Sequence, residues 1–425
     1  MNQGVAGQDS RKVDLFSRLP PELKREICEY LCTHCTTEIL TKSWFFDKRP
    51  YDASLASLCL TSRPFQAIAQ PILYHYFRCR KDDRHSTMVS FARTINKRPD
   101  LADQIRRLEY VGKQAHSQSG QPLSRLSSDI AHQLPLSLQK ILMLFNSVLT
   151  QATNVEMVAV ATYKWTLPAI NLPRLRFLQL YMDKFSVTRL PSGTSMGVRE
   201  APQIERLQLN CYRLVCPYLS NLAPNTQRLT LRMSNQAPVS IDRDIAKLVE
   251  GLPKLTTFEL SAPETFRDYA RDDFDFASER PDFLSGLLVR KDDLTRISLR
   301  SSDMPIKLSL LKNFTNLKHL RLDGGLLGSD DFEEYVCLLK LESLWIQLYV
   351  GKPMWLVAQM SERASRDGHL KYVRCDRFID YPIPEIDYGV QSPSWQENVK
   401  KNFEAAGVEF EMSPPHTQWR SFLFD

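Results

Sequence analysis

Ten short segments of this 425-residue chain repeat one pattern: apolar, two variable positions, apolar, one variable position, apolar. The series opens with IRRLEY at 105–110 and VEMVAV at 155–160. It runs on through LRFLQL, IERLQL, TQRLTL, LTTFEL, LTRISL, LKHLRL and LESLWI, and closes with LKYVRC at 370–375. Between the middle apolar residues, from Leu178 to Val373, the steps are 29, 22, 29, 39, 23, 24 and 29 residues. The last three positions alternate as a strand does, with the apolar residues on one face. One such strand cannot bury its own face. Ten of them at similar spacing can do so by stacking side by side, with the intervening chain folded back over the apolar side. The expected fold class is therefore α/β, a solenoid built on a parallel sheet.

The 20–29-residue period and the LxxLxL strand signature resemble irregular leucine-rich repeats. That resemblance implies a parallel sheet on the concave face of the solenoid. The step of 50 from Leu108 to Val158 is about two periods and holds an expected helix, LSLQKILMLFNSVL at 136–149. A final helix is expected at Ser394–Ala406, with Trp395, Val399 and Phe403 on one face and Gly407 as its stop. VEFEM at 408–412 reads as a closing strand. Residues 182–202 and 261–286 read as surface insertions.

The N-terminal part has a different period. Leu19-Pro20-Pro21-Glu22 reads as a helix start, since proline is tolerated in the first turn and an acidic residue suits the positive end of the helix dipole. Leu23, Ile27, Tyr30 and Leu31 follow at i, i+4, i+7 and i+8 as one apolar face. A second apolar run holds Leu55, Leu58, Cys59, Ser62 and Phe65, and a third runs from Phe65 to Pro71, with Ile72, Leu73, Tyr74 and Phe77 behind it. Three helices in about 65 residues make a core too small to be comfortable alone. LFSRLPPELKREICEYL at 15–31, read on to LASLCLTSRPFQAIAQPILYHYF at 55–77, resembles an F-box.

That resemblance implies a receptor subunit of a cullin–RING (SCF-type) ubiquitin ligase, binding a Skp-type adaptor protein and through it a cullin. The repeats would hold the target. The positions carried over for adaptor binding are Leu19, Pro20, Pro21, Glu22, Ile27, Leu31, Leu58, Phe65 and Pro71. An F-box scaffold that does not direct ubiquitination is the alternative. The chain departs from the family pattern at 32–52, which is longer than the usual helix connection, and at Ser62, where cysteine is common. The expected organisation is a disordered 1–12, an F-box at 13–80 with 32–52 inserted, a repeat domain at 81–412 and a tail at 413–425.

Nine cysteines, an odd number, and the lack of a secretory signal in the first residues fit a reducing compartment, cytoplasmic or nuclear. The net charge of +6 comes without a Lys/Arg block, so nucleic acid is not an expected partner. No apolar run is long enough for a membrane span. Cys28, Cys32, His34 and Cys35 invite a zinc reading. No second close pair follows, however, and Cys28 falls inside the first helix, so neither metal nor cofactor is expected. P-loop, GxSxG, HExxH and GxGxxG motifs are all missing, and the chain reads as non-catalytic.

On the sheet face opposite the apolar residues, the variable positions from β-segment 177–181 onward number 24, seven of them arginine, three acidic and none lysine. The arginines are Arg206, Arg228, Arg232, Arg296, Arg300, Arg321 and Arg374, with Trp345 among them. Arginine's planar fork suits carboxylate and phosphate, and tryptophan is a frequent interface anchor. The expectation is a surface for an acidic or phosphorylated segment of a target protein.

Overall fold

In the computed structural model the repeated pattern builds one sheet of twelve strands, all parallel and hydrogen-bonded in chain order. The structure describes residues 18–36, 51–79, 85–111, 136–161, 172–182, 203–211, 223–233, 241–261, 284–300, 308–323, 340–349, 369–378 and 393–412, with Val357, Met360 and Ser361. The strands are β1 Tyr76–Cys79, β2 Arg107–Val111, β3 Met157–Ala161, β4 Phe177–Met182, β5 Arg206–Cys211 and β6 Arg228–Met233. They continue as β7 Thr257–Ser261, β8 Arg296–Arg300, β9 His319–Asp323, β10 Ser343–Tyr349, β11 Tyr372–Phe378 and β12 Glu409–Met412. All ten pattern segments are strands, β2 to β11, and the expected closing strand is β12. The sequence reading missed β1. YFRC alternates correctly but is only four residues long and follows a helix directly, so it read as the helix's tail.

Register lines the central apolar residues into a ladder, for example Leu207 beside Leu229 and Phe258 beside Ile297. Leu229, Phe258, Ile297 and their partners two residues on are buried. Each such side chain contributes roughly 1.5–3 kcal/mol on leaving water. Return segments cover this side of the sheet. The long step before β3 holds the expected helix, Leu136–Gln151, with Phe145, Val148 and Leu149 buried. A helix at Ile241–Glu250 precedes β7, and 3-10 turns at Ser285–Arg290 and Leu308–Asn313 precede β8 and β9. The last helix, Pro393–Ala405, stops at Gly407, whose φ of 73° is the left-handed conformation glycine adopts without a Cβ clash.

Ahead of the sheet stand four helices: α1 Pro21–Leu31, the single turn α2 Thr33–Thr36, α3 Tyr51–Thr61 and α4 Arg63–Leu73. They share a small core of their own, Cys28, Cys32, Leu55, Phe65, Ala69 and Ile72. The apolar run at 55–65 divides between two helices. Ser62 breaks it, its Oγ accepting from the Phe65 N–H at 3.5 Å as an N-cap, which places Phe65 in α4.

No described helix is long and apolar enough to cross a membrane. Residues 1–12, residues 37–50 of the insertion, the bulk of 182–202 and 261–286, and the tail 413–425 lie outside the described residues, whereas the two ends of the insertion belong to α2 and α3.

Candidate functional site

Two surfaces carry the residues singled out in the sequence. The first is on α1. The proline start is as expected, with Pro21 at the first helical position, Glu22 in the first turn and Lys24 N–H bonded to Pro20 O at 3.1 Å. The face turned inward is not the one richest in large apolar residues. Lys24 and Cys28 are buried, Lys24 with its ammonium 5.8 Å from the centre of the Phe65 ring. Leu23 and Tyr30 are 45% and 78% exposed, and with Leu19, Glu26, Ile27 and Leu31 they line an open, mostly apolar groove. The nine expected adaptor residues therefore divide. Phe65 is core, and Leu31 and Leu58 pack against that core. Leu19 and Ile27 are half-buried in the groove, while Pro20, Pro21 and Glu22 are exposed at its end. Pro71 sits half-buried inside α4.

The second surface is the sheet face opposite the ladder. Register sets its side chains in rows across the strands. One row runs Arg206, Arg228, Thr257, Arg296, His319, and the next runs Gln208, Thr230, Glu259, Ser298, Arg321, Trp345, Arg374. A third places Arg232 and Arg300 on either side of Ser261. Strands lie about 4.8 Å apart, so these two arginines are roughly 10 Å apart at the backbone.

Glu259 is the carboxylate in the middle. It pairs with Arg228 and accepts from Thr230 Oγ1 at 3.0 Å. Burial alone would raise its carboxyl, but Arg228 and Arg300 hold it below the usual range. Burial and the neighbouring Arg300 charge push Arg232 down to about 10 and Arg321 down to about 9. Both guanidiniums stay charged at neutral pH; burial is the larger cause of the downward push and the like charge of Arg300 the second. Arg321 lies over the Trp345 ring, 3.3 Å from its centre, with Arg374 at 4.5 Å. Asp376 holds this pair in place, accepting from Trp345 Nε1 at 2.7 Å and from Arg374 Nε at 2.9 Å. Arg374 also reaches Glu411 at 3.4 Å. The Arg321 Nε is buried without a hydrogen-bond partner among the described residues.

The structure thus gathers Arg228, Arg232, Arg300, Arg321, Trp345 and Arg374 around Glu259 and Asp376. Arg206 joins through its register with Arg228, while Arg296 stands exposed beside His319, whose imidazole burial and Arg296 both push down. Toward the N-terminal end the face closes over. Arg107 and Glu109 are buried as an ion pair with Tyr76 and Arg78 around them, and Met157, Ala159, Phe177 and Gln179 are buried too. Phe177 and Gln179 therefore do not project to solvent as the pattern implied.

No protein-family model and no curated protein matches this chain. The site is accordingly described by its own chemistry. Sequence reasoning counted the arginines but not their order around Glu259, which register alone creates. It also assigned Leu23 and Tyr30 to an apolar helix face without seeing that this face is outside. Among the described residues, one set of side chains has donor atoms close enough to share a metal ion: Cys32, His34, Cys35 and His75.

Glu259 makes one prediction directly. Its folded pKa lies below its unfolded one, so its contribution to stability is complete above the ordinary carboxylate range and is lost as pH falls through the folded value. Glu259→Gln should cost about 1–3 kcal/mol at neutral pH, because Arg228 loses its ion-pair partner and Arg300 a neighbouring opposite charge. The same variant should flatten the acid limb of a stability-versus-pH curve. An unchanged acid limb would mean that Glu259 is not the group that couples this face to folding.

Proposed function

We propose that this chain is a substrate-receptor subunit of a cullin–RING ubiquitin ligase, with an F-box at its N-terminus and irregular leucine-rich repeats as its target-reading part. The observation that carries the reading is the α1 groove. A helix that turns Lys24 and Cys28 inward leaves Leu23, Ile27 and Tyr30 facing out. A six-residue core leaves the helical unit with apolar surface still to bury, and a partner is the natural place for it. Beside it, a twelve-strand parallel sheet offers an extended face rich in arginine, suited to holding another protein.

On this reading the chain performs no chemistry. The helical unit binds the Skp-type adaptor and, through it, a cullin, in the cytoplasm or nucleus. The sheet face holds an acidic or phosphorylated target, and the rate gain comes from raised effective concentration of target lysines near the charged conjugating enzyme.

Leu23→Asp with Tyr30→Asp tests the adaptor half. Both side chains are exposed, so the fold and melting temperature should be kept. Adaptor capture should fall at least ~100-fold, since two apolar interface anchors become charges that must be desolvated. Leu19→Ala with Pro20→Ala should weaken capture less. Equal adaptor recovery by wild type and the Asp double variant would remove the F-box reading.

A further inference from the structure

We propose that Cys32, His34, Cys35 and His75 form a tetrahedral zinc site that fastens the helical unit to the start of the sheet. Their ligand atoms all lie within 4.8 Å of one another. Cys35 Sγ stands 3.4 Å from His75 Nδ1 and 3.7 Å from His34 Nδ1. Donors on one zinc ion, with Zn–S about 2.3 Å and Zn–N about 2.0–2.1 Å, are roughly 3.4–3.8 Å apart. Two edges of the tetrahedron already have that length, and the widest separation must close by only ~1 Å. The two imidazole rings meet edge-on, at 83° with centroids 5.6 Å apart, so that neither blocks the other's approach. Two sulfurs and two nitrogens in this geometry are a zinc donor set.

The local fold explains the convergence. Cys32 caps α1, its N–H bonded to Glu29 O, and its Sγ lies 3.7 Å from Ile72 O near the end of α4. The single turn α2 brings His34 and Cys35 round beside it. His75 follows α4 by two residues and precedes β1, and its backbone carbonyl accepts both the Arg106 and Arg107 N–H groups at the start of β2. The fourth donor is thus 40 positions after Cys35. A search for a second closely spaced pair does not find it.

Outer groups fit as well. His34 Nε2 is buried with no hydrogen-bond partner among the described residues, and the Glu156 carboxylate lies 3.8 Å from it. With Nδ1 on a metal, Nε2–H faces a carboxylate, the arrangement that fixes a zinc-bound histidine. Glu156 stands immediately before β3, so the cluster and its outer carboxylate join residues from the end of α1, α2, the α4–β1 joint and the start of β3. Small modules with cores of this size commonly gain folding free energy from a metal. A Cys32–Cys35 disulfide is the competing use of a C-x-x-C pair, but it gives no role to two imidazoles aimed at the sulfurs.

The test is metal analysis of the full chain purified under reducing conditions without chelator. One zinc ion per chain is expected, retained on dialysis against metal-free buffer. Cys59→Ser, which alters a thiol outside the cluster, keeps the metal, whereas Cys35→Ser and His75→Ala lose at least ~90% of it. Glu156→Ala keeps all four ligands and lowers zinc affinity by roughly 10–100-fold. Cobalt(II) in place of zinc gives the visible absorption of a tetrahedral thiolate site, a readout that needs no variant. A wild-type chain that carries no zinc and takes up neither added zinc nor cobalt overturns the proposal. So does a Cys32–Cys35 disulfide that forms in preference to metal binding when zinc and a mild reductant are both present. Adaptor capture enters none of these readouts, so the zinc site and the proposed function fail separately.

Discussion

Phe258→Ala should lower the free energy of unfolding by about 3–5 kcal/mol. Phe258 is the middle apolar residue of β7, fully buried, between Leu229 of β6 and Ile297 of β8. It is the largest side chain in this part of the ladder. Truncation removes the ring's burial and leaves a cavity that neighbours held by backbone register cannot fill. Because each repeat rests mainly on its neighbours, the loss should be felt first in β6 to β8. Hydrogen exchange should show faster opening there than in β2 and β3. Phe258→Leu should recover much of the loss, since leucine holds the same register position in β6 and β9. Urea unfolding followed by circular dichroism gives the magnitude. A cost below about 1 kcal/mol would mean that the ladder is not closely packed at this point.

The sheet was legible because its signal is repeated. Any one xLxLx segment is ambiguous, but ten at similar spacing admit one arrangement, and the twelve-strand order in chain sequence follows from it. The helices at Leu136–Gln151 and Pro393–Ala405 were legible for the same reason as any helix, a period near 3.6 with a stop. What stayed hidden depends on three-dimensional placement. β1 is too short to carry a period. On α1 Leu23 and Tyr30 point outward while a lysine and a cysteine are buried, because Phe65 and Ile72 sit where small or flexible side chains fit. Periodicity reports that a helix has two faces but not which one is covered. Of the cluster Cys32, His34, Cys35 and His75, the sequence offered the first three, and His75 was hidden by sequence distance, as it reaches Cys35 only once α4 is packed. The burial of Phe177 and Gln179 could not be read from strand alternation, which sorts residues into faces without saying what lies over each face.

If the chain is the proposed receptor, Arg232→Glu with Arg300→Glu should weaken target binding by at least ~100-fold while leaving adaptor capture intact. These two arginines flank Ser261, and Arg300 bears on both Arg232 and Arg321. The guanidiniums of Arg228, Arg232, Arg300 and Arg321 are thus gathered near Glu259, a crowd of like charge in a partly buried setting. An incoming carboxylate or phosphate relieves that crowding and gains charge-assisted hydrogen bonds of about 1.5–3 kcal/mol each. Losing two such contacts gives the expected factor. Binding by the wild type should also fall with salt, though less steeply than between fully exposed charges. Arg232→Gln with Arg300→Gln is the companion variant, because reversal at Arg232 places a second carboxylate beside Glu259 and strains the fold. The Gln pair should keep the wild-type melting temperature and still lose most of the binding. Affinity capture from cells with a proteasome inhibitor present identifies the targets, and each is then measured against the two variants. Targets that bind both variants as tightly as wild type would show that recognition does not use this face.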